Sequence, residues 1–118
     1  MANIIVLFEV TLKDGKMDDY LNMAASLKEA LSHADGFIHA ERFKSLSEKG
    51  KLLSLSEWKD EESIAKWRNL EAHRMCQQAG RTYNFVDYKI TVVTPLRCYT
   101  MNMRENAPTD ANQYFNLS

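Results

Sequence analysis

The sequence predicts one α+β domain of order βαββαβ on a four-stranded antiparallel sheet, and three observations carry that prediction. Two helical stretches each lie between stretches rich in β-branched and aromatic residues. The two middle β-rich stretches are joined by a short loop containing Gly50, the mark of a hairpin. A chain of 118 residues suits one domain with a modest core.

Residues 3–12 are rich in Ile, Val and Phe and end at the turn signal Lys13-Asp14-Gly15, so they form the first strand. Over residues 16–32, Met17, Tyr20, Leu21, Ala24, Leu27, the stem of Lys28 and Leu31 recur at three and four, an amphipathic helix that Asp35-Gly36 stops. Residues 37–46 alternate as a half-buried strand does, with Phe37, His39, Glu41 and Phe43 on one side and Ile38, Ala40, Arg42 and Lys44 on the other. Residues 51–59 return as the third strand, and Asp60 caps a second helix whose first turn holds Glu61 and Glu62 and which runs towards Gly80. Residues 83–94 form the last strand before Pro95. The domain is therefore expected over 1–95. Residues 96–118, with little periodicity, are expected as an extended tail ordered only on a partner.

Right-handed crossovers put both helices on one face, which makes the architecture ferredoxin-like and leaves the other face bare. Ile4 to Phe8 are apolar at every position, as are Leu52, Leu53, Val92 and Val93, so the strands call for burial on both sides. A second copy stacked sheet to sheet, giving a homodimeric α+β barrel, is the expected cover. Fifteen basic residues against sixteen acidic, net charge −1 and no block of like charges give no reason to expect nucleic acid or membrane as a partner. No apolar run is long enough for a bilayer and no signal peptide is evident, so the expected location is the cytoplasm. Cys76 and Cys98 lie far apart and read as reduced packing thiols.

Two runs carry a family resemblance: SLSEWKDEESIAKW at 54–67 and HRMCQQAGR at 73–81. They resemble the antibiotic biosynthesis monooxygenase family of dimeric α+β barrels, in which a strand ending in a bulky aromatic leads into a helix with a second tryptophan. The resemblance covers residues 2–93. It implies an apolar pocket between sheet and helices, and a monooxygenase acting with O2 and no cofactor on a small aromatic or quinol-like molecule. Two other readings stay open: a small-molecule-binding dimer without turnover, and a haem-binding or haem-degrading protein. The haem branch resembles a pattern of strand-one asparagine, helix-two tryptophan and an axial histidine about ten positions later; here Phe8 or Glu9 and then Gln77 stand at the asparagine and histidine positions.

Trp67 matches the family's helix-two tryptophan, on a stripe with Ile64 and Leu70, and shapes the pocket or simply fills the core. His73 is the candidate base, since its ordinary pKa lies near neutrality. Six residues after Trp67 it would turn away on a continuous helix; the resemblance implies a break in the second helix near this point, and a break at Asn69 would return it to the stripe with Leu70 and Gln77. Trp58 reads mainly as core. Glu9 interrupts an apolar strand and needs a partner, for which Arg42 and Arg74 are candidates. Tyr83 and Phe85 are further candidates to line a pocket. No metal site is expected, because His73 and Cys76 alone approach ligand spacing, and no Gly-rich phosphate loop exists.

Overall fold

A computed structural model describes residues 3–117; Met1, Ala2 and Ser118, which the expected domain and tail include, lie outside the described residues. The elements are β1 (Ile4–Leu12), α1 (Met17–Ser26), α2 (Lys28–Ser32), β2 (Phe37–Lys44), β3 (Lys51–Trp58), α3 (Glu61–Arg68), α4 (Glu71–Ala79), a π-helical turn (Gly80–Asn84), β4 (Phe85–Val93) and α5 (Thr109–Tyr114). The strands pair antiparallel in the order β2-β3-β1-β4. This is the ferredoxin-like α+β fold that the sequence predicts.

Each expected helix is interrupted. The Ser26 hydroxyl donates to the Met23 carbonyl at 2.6 Å, and Leu27 separates α1 from α2; a side chain that bonds its own backbone competes with the helical ladder. The second interruption, at Asn69 and Leu70, shapes the candidate site described below. In β2 a register shift between Phe37 and His39 bulges Ile38 out, so Phe37 leaves the side of His39, Glu41 and Phe43 on which simple alternation put it. It stacks edge-on against Trp58, ring centroids 5.3 Å apart. The tail also departs from expectation, because α5 forms within it.

Val10, Leu12, Leu52 and Tyr20 form the buried core, with Phe8, Met17, Phe85 and Tyr88 packed against it. Since Tyr20 and Met17 belong to α1, the even-numbered residues of β1 face the helices. The strand pairing then puts Ser54, Ser56 and Trp58 of β3, and Tyr88, Ile90 and Val92 of β4, on that same face. The opposite face holds Ile5, Leu7, Glu9, Leu53, Leu55 and Phe43, and among the described residues no helix packs over it.

A close approach at Gly36 ties the hairpin side of the sheet to α3. Its φ is +76°, and a Cβ there would collide with the side chain of Ser63, which is buried. Ser63 is held by Asp60, whose carboxylate accepts from the Ser63 amide at 2.8 Å and from its hydroxyl at 2.7 Å. The expected cap therefore forms, and these bonds hold the Asp60 carboxyl below its ordinary pKa.

Candidate functional site

The site starts from the break in the second helix. Asn69 ends α3 with its side-chain amide donating to the Ala65 carbonyl at 2.9 Å, and its carboxamide oxygen accepts from Arg74 Nη2 at 2.8 Å. Leu70 is extended, with φ −65° and ψ +134°. The chain thus restarts as α4 in a new register, and His73 meets Trp67 with ring centroids 5.2 Å apart. Trp67 in turn contacts Trp58 at 6.3 Å. Trp58 is 2% exposed and donates its indole N–H to Ser56 Oγ at 2.9 Å.

His73 Nδ1 is buried and has no hydrogen-bond partner. Desolvation lowers the imidazole below its ordinary pKa of 6.5; the Arg74 charge adds to this and the Arg68 backbone opposes it. The ring is therefore neutral at physiological pH. A neutral imidazole with an unfilled nitrogen can accept or donate one proton without first surrendering a protein partner. The helix-side face of the sheet is incompletely covered: Val6, Phe8, Ser54 and Ser56 are half-buried, and Ile90 and Val92 are exposed.

The other sequence candidates are dispersed. Glu9 lies on the uncovered face, where Lys89 at 3.3 Å and Lys51 at 3.8 Å flank it. These lysines, not Arg42 or Arg74, are its partners, because the strand register sets Lys51 and Lys89 on its face. Arg42 is paired with Ser54 on the helix side, and Arg74, expected on the apolar stripe of a continuous helix, is exposed and braces the Asn69 break. Tyr83 is exposed on the π-helical turn, in a shallow depression shared with Lys16, Met23 and Asn84. Phe85 belongs to the core, against Phe8, Tyr20 and Tyr88. A second depression, lined by Leu7, Glu9, Phe43 and Leu53, opens on the uncovered face. Neither depression is lined by Trp67 or His73. Among the described residues no group of three or more His, Cys, Asp or Glu could hold a metal ion.

Residues 3–79 match the model of a family described as antibiotic biosynthesis monooxygenase, about two thirds of the chain. The chain belongs to this family. A protein of Pyricularia oryzae described as a jasmonate monooxygenase is 44% identical over 87 residues, which are 74% of this chain and 40% of that one. This chain thus spans about two fifths of the length of that relative. Solved structures share the fold. A cofactor-independent oxygenase of Streptomyces nogalater, SnoaB, solved as a point mutant, is 10% identical with TM-score 0.73 over 86% of this chain and 99% of its own. A putative antibiotic biosynthesis monooxygenase of Deinococcus radiodurans is 16% identical with TM-score 0.74, over 83% and 97%.

Within this monooxygenase-family domain, sequence reasoning passed over Ser54 and Ser56. Their signal was readable: two hydroxyls alternate through β3 in step with Leu52 and Trp58. A strand face that carries serines where its neighbours carry Ile and Val lacks the side chains to fill a core.

Proposed function

We propose that the chain is a cofactor-independent monooxygenase, acting with O2 as a homodimer on a small aromatic or quinol-like molecule held against the helix-side face. The observation that carries this reading is the neutral, desolvated His73 with its buried, unpartnered Nδ1 against Trp67. The imidazole accepts the acidic proton of the bound substrate. The resulting enolate or phenolate is electron-rich enough to reduce O2, and the Trp67 ring against His73 offers it an apolar neighbour. Ser56 Oγ already accepts from Trp58, so its own proton is left to donate to the substrate oxygen. When a ring CH2 becomes C=O, the substrate supplies all four electrons: one oxygen atom stays on carbon and the other leaves as water.

Family membership supports the oxygenase reading, and so does the fold shared with an oxygenase described as cofactor-independent. The curated relative's description extends the substrates to test, since a jasmonate is a small, mostly apolar carboxylate. Cytoplasmic location is part of the proposal, supported by two free cysteines. The homodimer is supported by the uncovered face, where Ile5, Leu7, Leu53 and Leu55 are only half-buried and Phe43 is 41% exposed.

The test is oxygen uptake by the full chain with quinols, anthrone-like phenols and jasmonates. Uptake stoichiometric with product, lost in His73→Ala, supports the proposal. Saturable binding without uptake leaves a small-molecule-binding dimer, and a Soret band on haem titration would revive the haem reading.

A further inference from the structure

The C-terminal arm holds seven exposed large apolar side chains among the described residues. After Val93 no described residue enters the sheet. Among the described residues, the hydrogen bonds made by 97–117 all end within that segment. The arm nevertheless has a defined shape. Arg104 lies over the Tyr99 ring at 4.9 Å, donates from Nε to Asn112 Oδ1 at 3.0 Å and from Nη1 to the Thr100 carbonyl at 3.3 Å. Its backbone carbonyl accepts from Asn112 Nδ2 at 3.3 Å.

What this brace displays is apolar: Leu96 is 92% exposed, Met101 86%, Met103 75% and Tyr114 81%. The cost appears in the molecule's shape. Its radius of gyration is 17.1 Å, against about 13.5 Å for a compact domain of this length. An internally braced, apolar arm standing off the body has its shape ready before it binds, which lowers the entropy lost on docking.

We infer that residues 94–117 form a clasp that docks on a second copy of this chain. Two features select that occupant. The arm contains two basic residues, Arg97 and Arg104, and two acidic ones, Glu105 and Asp110, so it has no charge with which to seek an anionic lipid or nucleic acid. It also leaves the body at Val93, which pairs with Ile5 at the rim of the uncovered sheet face. A copy stacked on that face would lie beside the point where the arm leaves, and two-fold symmetry would return the second arm. The inference rests on the homodimer proposed above.

The experiment is sedimentation equilibrium of the full chain and of Met101→Glu/Met103→Glu, paired with amide hydrogen exchange of the native chain at dimeric and monomeric dilutions. Both methionines are exposed in the single chain, so the double variant keeps its fold. The expected result is a dimer weakened at least about tenfold, with residues 96–106 exchanging more slowly in the dimer than in the monomer. A native-like dimer affinity in the variant, with arm exchange unaffected by dilution, overturns the clasp while leaving the sheet-stacked dimer standing. A native chain that is monomeric throughout overturns both. A Leu55→Glu control on the sheet face, which abolishes the stacked dimer, should release the arm as well.

Discussion

The two ends of the helix layer are built from the same strands and do opposite things. Where β1 finishes, Val10, Leu12, Tyr20 and Leu52 are all buried, and Phe8, Phe85 and Tyr88 close over them. Where β1 begins, Trp58 is buried, and Val6, Ser56 and Val92 stay partly or openly exposed. β1 is apolar along nearly its whole length, so the difference originates in its neighbours. β3 supplies Leu52 at the closed end and Ser56 at the open one. Stability is concentrated at one end. The buried, unpartnered nitrogen of His73 is at the other.

That separation can be broken by experiment. Leu52→Ala, at the closed end, should cost about 2–5 kcal/mol in chemical denaturation while leaving turnover per folded molecule unchanged. A loss no larger than that of a surface substitution would erase the distinction between the ends. His73→Ala should do the reverse, lowering kcat about a hundredfold, or about 2.7 kcal/mol of barrier, with the denaturation midpoint little moved. Unaltered kinetics in that variant would remove His73 from the mechanism. Gly80→Ala should destabilise by about 1–3 kcal/mol, because a Cβ there meets the Phe85 ring; a neutral result would mean the closed end yields more easily than its packing implies. Ser56→Ala strips the Trp58 indole of its acceptor and should cost about 1 kcal/mol, read by the same denaturation.

The least effect is a matter of pH. Because burial lowers the His73 pKa, the unfolded chain binds its proton first as pH falls. His73 therefore costs nothing well above pH 6.5 and destabilises progressively as pH drops through 6.5 towards its lower folded value. The difference in stability between native chain and His73→Gln should narrow or reverse across that window. A difference independent of pH there would show that the ring is not desolvated.

Much of this was legible. The strand and helix order followed from local periodicity, and the Asp60 cap from its acid followed by Glu61 and Glu62. The meeting of Trp67 with His73 was legible as the consequence of a break at Asn69 that the family resemblance implied; the carboxamide bond to Ala65 that ends the helix there came only from the structure. Glu9 shows the limit. Its need for a partner was clear, but which cations faced it depended on the register of β1 against β3 and β4, and no local pattern in an almost uniformly apolar strand reveals register. Phe85 and Tyr83 show another: adjacent to the same turn, one became core and the other surface through the approach of Gly80.

The sequence by itself determined which segments are strands and helices, where the hairpin turns, and that β1 had to be flanked on both sides. Those properties are periods of two and of about 3.6 residues, complete within a few neighbours. Only the tertiary structure decided which face each β1 side chain took, that Phe37 crosses to the helix side at a bulge, and that Lys51 and Lys89 flank Glu9. Such choices rest on contacts between residues far apart in the chain, and packing energy between surfaces settles them where local preference is silent.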